Sequence, residues 1–240
     1  MSAPADSVRF AVYLVPPAED PYYRLGSAAL GYDVRARRDV ERLPGTRAEW
    51  VSKAGPFGFH ATIVEAFDCA PSSFPDIERE IEACLASLSP SSVLELSNGR
   101  IETWDGGEVI VHRFDPNSAL HALHVLLLAR LGRFVTGSSF ERAMRSGEKY
   151  QEPHQKARIA LLHTPRGLDT WEPHFTLADP YGGGDAEGLA ADFDERFELY
   201  STLKFDTVTL LRQNGTQPYE IVRDFPVRDS SVNSGSQQTS

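Results

Sequence analysis

Two short segments of this chain repeat one pattern: Phe59-His60-Ala61-Thr62-Ile63 and Pro173-His174-Phe175-Thr176-Leu177. Each places a threonine two residues after a histidine, with an apolar residue next, and each precedes a helix-like stretch. In an extended strand successive side chains alternate faces, so His60 and Thr62 point one way while Ala61 and Ile63 point the other. His174 and Thr176 repeat this against Phe175 and Leu177. Bringing two such strands together creates a cleft holding two imidazoles and two hydroxyl donors. The bare pattern is weakly specific, because two H-x-T units among seven histidines arise by chance in roughly one such chain in twenty. The apolar residue after each threonine, the strand-like setting and the following helix supply the specificity.

Such a cleft suits a phosphodiester. One neutral histidine takes a proton from the attacking oxygen, a protonated one gives a proton to the leaving oxygen, and the threonines hydrogen-bond the non-bridging oxygens. Histidine fits both proton roles because its unperturbed pKa lies near neutrality. The candidate catalytic residues are therefore His60 and His174, with Thr62 and Thr176 as phosphate donors.

The remaining pattern is of α+β type. Strands are expected over Arg9 to Val15, Phe59 to Phe67, Val93 to Leu96, Gly99 to Trp104 and Glu108 to Phe114, with Asp105-Gly106-Gly107 as a hairpin turn. Helical spacing marks Pro21 to Leu30, Asp76 to Leu88, and the segment after Pro116 through Leu131. Phe134 to Gln155 is polar and poorly periodic and reads as a long connection with one helical turn at most, and Ala157 to His163 as a short strand or helix end. A second cycle follows: strand Trp171 to Ala178, turn Pro180 to Gly184, helix Glu187 to Tyr200, and paired strands Lys204 to Arg212 and Tyr219 to Phe225. The expected organisation is a flexible segment 1–7, one bilobal domain over 8–227, and a Ser-, Gln- and Asn-rich disordered tail over 228–240.

From Arg9 to about Phe225 the chain resembles the two-histidine (2H) phosphoesterase superfamily, which includes LigT-like RNA ligases and cyclic phosphodiesterases. Phe10-Ala11-Val12-Tyr13-Leu14-Val15-Pro16-Pro17, Phe57-Gly58-Phe59-His60-Ala61-Thr62 and the long spacing between motifs look like its DUF1045-like branch, associated with phosphonate metabolism. The lead-in Trp171-Glu172-Pro173 departs from that branch. The resemblance implies two pseudo-symmetric lobes, each an antiparallel sheet with outer helices, with the motifs facing each other across a central cleft and no metal required.

Other features carry blander readings. His121 and His124 sit three apart on an expected helix near His112, but Leu120, Leu123, Leu127 and Leu128 define its buried stripe and no ligand set for zinc is completed. His154 and His163, beside Lys156 and Arg158, read as polar surface, with a mobile anion-contacting flap as the alternative. Tyr13 and Tyr181 could line the cleft and stack on a base or sugar, or equally serve core packing and a turn. Gly182-Gly183-Gly184 lacks the Lys and Ser/Thr of a phosphate loop and reads as a turn. Two cysteines, Cys69 and Cys84, are too few for a disulfide framework, which together with the lack of an apolar leader or span points to the cytoplasm. A net charge of −10 disfavours long polyanions without a local basic patch, and leaves small anions open.

The reading is thus a phosphoric diester hydrolase without cofactor or metal, opening a small cyclic phosphate: a 2′,3′-cyclic nucleotide or an RNA-end cyclic phosphate. A ribose cyclic phosphate of phosphonate metabolism and a non-catalytic module binding a nucleotide or RNA end are the alternatives.

Overall fold

Apolar residues crowd Val8–Leu14, and the Pro16-Pro17 pair beyond them cannot donate to a sheet ladder, so this segment forms one strand, β1, and stops. Asp20 then accepts from the Tyr22 amide, Pro21 takes the first helical position, and Gly31 closes α1 (Pro21–Leu30) in the left-handed conformation. The computed structural model describes residues 8–227; the expected flexible segment 1–7 and tail 228–240 lie outside the described residues. After α1 come the small hairpin β2 (Tyr32–Asp33) and β3 (Arg38–Asp39), β4 (Ala61–Cys69), α2 (Phe74–Ala86), β5 (Leu94–Trp104), β6 (Val109–Pro116) and α3 (Ser118–Leu131). The chain continues through β7 (Gly137–Ser138), α4 (Ser139–Arg145), α5 (Pro153–Leu162), β8 (His174–Ala178), α6 (Ala186–Phe197), β9 (Leu203–Phe205), β10 (Thr207–Asn214) and β11 (Glu220–Pro226).

The fold is α+β. Every strand pair is antiparallel, and the main sheet runs β11-β10-β1-β4-β8-β6-β5-β9, with β7 on the free stretch of β4. The two lobes are halves of this one sheet, joined where Ala61 of β4 pairs with Phe175 of β8. Within each half the motif strand lies beside a long strand: β4 beside β1, and β8 beside β6. Helix α1 packs on β8 and α6 on β5, while α3 covers β4 and carries α2.

The ends of the sheet are tied together. β9 is the outer strand of one half, pairing β5, and β10 pairs β1 in the other, yet only Asp206 separates them. Six strand steps in a flat sheet would span about 29 Å at ~4.8 Å per strand. Residues 205 and 207 can be at most about 7 Å apart. The sheet therefore curls strongly.

The covered side is an aromatic nucleus. Tyr22 of α1 meets Phe59, Phe175 and Phe197 edge-on at 5.0, 5.1 and 5.7 Å, and its hydroxyl bonds His112 Nδ1 at 3.2 Å. Gly26 on α1 is what lets Phe59 lie against the helix, because a Cβ there would sit 2.2 Å from the ring. Phe59 and Phe175 flank the motif histidines in sequence and point into this nucleus, which turns His60 and His174 to the other face.

The connection after α3 differs from the sequence expectation. It holds α4 in place of an irregular run, and α5, which begins within the expected connection and ends in the helix end that was one of the two readings for Ala157 to His163. Ser138 caps α4 by accepting from the Glu141 amide, and Glu152, Pro153 and Gln155 form a start signal with a capping box for α5. Short, solvated helices of this kind have little apolar periodicity, so only the caps announce them. The expected break between Leu96 and Gly99 is a bulge within β5, at Asn98 and Gly99. Both cysteines are free and buried.

Burial holds His112 down to about 3 and His124 to about 4, against about 6.5 for an exposed ring. Both are neutral in the folded protein at moderately acidic pH while the unfolded chain takes up protons. Stability is therefore full above about pH 6.5 and is lost as pH falls toward 4, on the order of 3 kcal/mol for each fully buried ring. Urea denaturation at pH 7, 6, 5 and 4.5 should show this decline; a stability flat across that window contradicts neutral burial of these rings.

Candidate active site

Both motif histidines are held in the same way. His60 Nδ1 donates to the Gly58 carbonyl at 2.8 Å and His174 Nδ1 to the Glu172 carbonyl at 2.7 Å, each two residues upstream. A carbonyl only accepts, so in the neutral ring the proton sits on Nδ1 and Nε2 keeps its lone pair. Both rings line one cleft of about 740 Å³, together with Thr62 and Thr176. The register around Ala61 and Phe175 fixes the order on the floor: continued by one residue either way, it places Thr62 opposite His174 and His60 opposite Thr176. Cross-strand neighbours of this kind have Cβ atoms about 5 Å apart, and the diagonal pair of imidazoles is about 7–8 Å apart at the backbone.

The internal repeat is longer than the H-x-T pattern. Directly after each motif threonine the ladder skips a residue: Tyr13 pairs Thr62 while Val12 pairs Val64, and Val111 pairs Thr176 while Ile110 pairs Ala178. Each bulge buries two consecutive apolar residues, Ile63 with Val64 and Leu177 with Ala178, and returns the next side chain to the cleft. Those side chains are Glu65 and Asp179, both lining the cleft and both with carboxyls raised by burial. The sequence signal was present as H-x-T-apolar-apolar-acid, with the acid in the same place in both units.

The surroundings of the two rings differ. Tyr13, at the cleft, stacks on His60 with ring centres 3.7 Å apart and planes at 15°. Trp104 meets His174 at 4.6 Å and 67°, its indole Nε1 donating to Glu102 at 2.8 Å. Burial lowers His60 to about 4, with the proximity of His174 acting the same way and the Gly58 carbonyl opposing. Burial also lowers His174 to about 4, opposed by the Glu172 carbonyl and assisted by Arg166. Both imidazoles of the free protein are therefore neutral at neutral pH, lower than the unperturbed value assumed from sequence.

The seam beneath the site is fastened by side chains. Trp171 Nε1 donates to the Thr62 carbonyl at 2.9 Å, and its ring stacks on His124 at 4.2 Å and 7°. His124 Nδ1 donates to the Ile63 carbonyl at 2.7 Å, and its Nε2 accepts from the Leu168 amide at 3.2 Å. With both nitrogens engaged, His124 ties the first motif to the loop that leads into the second. His112 is likewise engaged in the core, with Tyr22. Among the described residues no group of three or more His, Cys, Asp or Glu side chains is arranged to hold a metal ion.

Tyr181, expected as a pocket residue, is placed elsewhere. Its ring packs on Trp50 at 4.9 Å and its hydroxyl donates to the Asp185 carbonyl at 2.9 Å, anchoring the turn before α6. His154 lines the cleft and His163 does not, because its Nδ1 bonds Glu141 at 2.7 Å. Sequence reasoning also missed Phe57, Trp104 and Arg166 at the cleft; they lie outside the motifs and are brought in by tertiary structure.

No protein-family model matches the chain. Over 85 residues it is 35% identical to the ribose 1,5-bisphosphate phosphokinase PhnN of Laribacter hongkongensis, a match covering 34% of this chain. The chain spans about 20% of the length of that curated relative. Solved structures similar to it include a phosphoesterase (TM-score 0.44, 11% identity, 92% of this chain and 99% of that one). Others are E. coli LigT complexed with phosphate (TM-score 0.42, 12% identity, covering 92% and 98%) and Kluyveromyces marxianus Usb1 (0.40, 9%, 92% and 99%). No helix among the described residues is long and apolar enough to cross a membrane.

Gly58 has φ +73°, and a Cβ on it would lie 2.4 Å from Val34 Cβ. Gly58→Ala should therefore destabilise the protein by about 1 kcal/mol or more and displace the carbonyl that orients His60. The measurement is a thermal melt with ¹⁵N chemical shifts of the His60 ring; an unchanged melt and an unchanged Nδ1–H tautomer would show that this anchor is dispensable.

Proposed function

We propose that the chain is a metal-independent phosphodiesterase that opens a small cyclic phosphate by acid–base catalysis between His60 and His174. The observation that carries this reading is the matched pair of rings. Each spends Nδ1 on a backbone carbonyl and leaves Nε2 for a ligand in the same cleft, with a threonine opposite. A phosphate between them has one Nε2 on the side of the attacking water and the other on the side of the leaving oxygen. One ring accepts the proton of water as its oxygen bonds phosphorus. The other donates its proton to the ester oxygen as the ring P–O bond breaks. Thr62 and Thr176 hydroxyls donate to the non-bridging oxygens, whose charge increases in the transition state.

Cleft size and charge favour a small substrate. A volume of about 740 Å³ accommodates a nucleotide, and Phe57 and Trp104 beside the rings offer faces for a base. The net charge of −10 works against a long RNA and less against a mononucleotide or a short RNA end. A ribose cyclic phosphate fits the same chemistry without using the aromatic walls, so a substrate panel separates the two.

His60→Ala and His174→Ala should each lower turnover of 2′,3′-cyclic nucleotides on the order of a hundredfold or more with the fold retained. Full activity in either folded variant refutes the assignment, and loss of wild-type activity in EDTA with recovery in zinc replaces it by a metal mechanism. Thr62→Ala and Thr176→Ala should cost about 1–3 kcal/mol of transition-state binding each, read as kcat/KM.

The acid must carry a proton that the free protein binds only near pH 4. Above about pH 5, kcat/KM should thus fall as pH rises, since it reports the free enzyme. Bound phosphate favours the protonated ring, so the optimum of kcat should lie at higher pH, with limbs belonging to the coupled pair. Steady-state rates from pH 4.5 to 9 test this; coincident profiles for the two parameters argue against proton transfer by this pair.

A further inference from the structure

The charges that line the cleft pose a problem for any anionic ligand. Three cationic side chains reach it, Arg9, Lys53 and Arg166, against the carboxylates of Glu65, Asp105, Glu172 and Asp179. Both imidazoles are neutral at neutral pH. Two of the cations are already engaged: Arg9 Nε lies 3.0 Å from Asp68, and Lys53 Nζ 3.6 Å from Asp179. Arg166 has no carboxylate within ion-pair distance among the described residues. It is the cleft's one uncommitted positive charge there.

Its backbone is nevertheless firmly placed. The Oγ1 of Thr164, which is fully buried, accepts from the Arg166 amide at 3.0 Å and donates to the Arg166 carbonyl at 3.1 Å. Arg158 holds the next residues, donating to the Gly167 carbonyl at 3.1 Å and to Asp169 at 2.8 Å, and contacting Thr170. A solvent-exposed arginine without a partner normally needs no such mounting. Here the loop after α5 is pinned by a buried hydroxyl on one side and a guanidinium on the other, and it brings to the cleft a cation whose charge bears on Glu65 of the first motif strand and on His174 of the second.

Resting on the reading of the cleft as a phosphodiester site, we propose that Arg166 is a phosphate-binding residue, its guanidinium neutralising the substrate's phosphoryl charge beside His174. The neutral threonine hydroxyls supply direction; Arg166 supplies the charge that lets an anion enter a cleft otherwise lined by more carboxylates than cations. A planar guanidinium meets two phosphoryl oxygens with two parallel N–H bonds, a fixed fork that an ammonium lacks. The α5 loop is thereby part of the binding site.

The test uses inorganic phosphate and adenosine 2′,3′-cyclic phosphate as probes. Phosphate binding is followed by calorimetry on the wild type, Arg166→Met, Arg166→Lys and Arg38→Met, the last removing an equal charge from an exposed position outside the cleft. Arg166→Met should weaken phosphate binding by about tenfold or more with an unchanged melting temperature. Arg166→Lys should recover part of the loss, Arg38→Met should bind as the wild type does, and KM for the cyclic nucleotide should rise in Arg166→Met. Undiminished phosphate binding by Arg166→Met overturns the proposal, as does a wild type that binds no phosphate. A phosphate site that depends on Arg166 in a protein that turns over no cyclic phosphate upholds the residue's role and overturns the proposed reaction.

Discussion

One residue pair, Ala61 with Phe175, joins the two halves of the sheet, and the geometry of the site follows from it. A slip of one residue along this seam would turn His174 and Thr176 into the aromatic nucleus. Backbone pairing this short does not resist slippage by itself. The register is held by what surrounds it: Phe59 and Phe175, in contact at 4.7 Å on the covered side, and the Trp171 and His124 bonds to the Thr62 and Ile63 carbonyls. Each such buried bond contributes about 0.5–1.5 kcal/mol net, and leaving its partner unpaired costs more. His124 in a zinc site would have been free to do none of this.

Burial and neutrality in the cleft are two sides of one arrangement. The Gly58 and Glu172 carbonyls fix the orientation of the imidazoles, and their burial in the cleft, beside Tyr13 and Trp104, lowers their proton affinity. The site then depends on its ligand to complete its charge: an arriving phosphate favours protonation of a ring that water alone leaves neutral. Glu65 and Asp179 mirror this from the acidic side, with carboxyls raised by the same burial.

What could be read from sequence was local and periodic. The H-x-T units, the strands that carry them and the helices α1, α2, α3 and α6 follow from alternation and apolar spacing. What escaped was set by tertiary placement. Helices α4 and α5 are too polar to show a face, the bulges after Thr62 and Thr176 change which side chains meet the cleft, and Arg166 enters through a loop with no pattern of its own. Tyr181 shows the converse, since proximity in sequence to the second motif did not bring it into the cleft. The acid three residues after each threonine was legible in principle, as the continuation of a repeat recognised only in its first half.

The single residue between β9 and β10 works as a clasp on a bracelet. Because the outer strand of one half-sheet runs directly into the inner strand of the other, and the Val227 amide bonds the Asp206 carbonyl at 2.7 Å, the curl cannot be relaxed without breaking the ladder at its ends. The spacing of His60 and His174 is in effect a fixed gauge. Accommodation of ligands of different size then falls to the part of the wall formed by residues 139–155, which belongs to no strand of the main sheet and lies before the loop that carries Arg166.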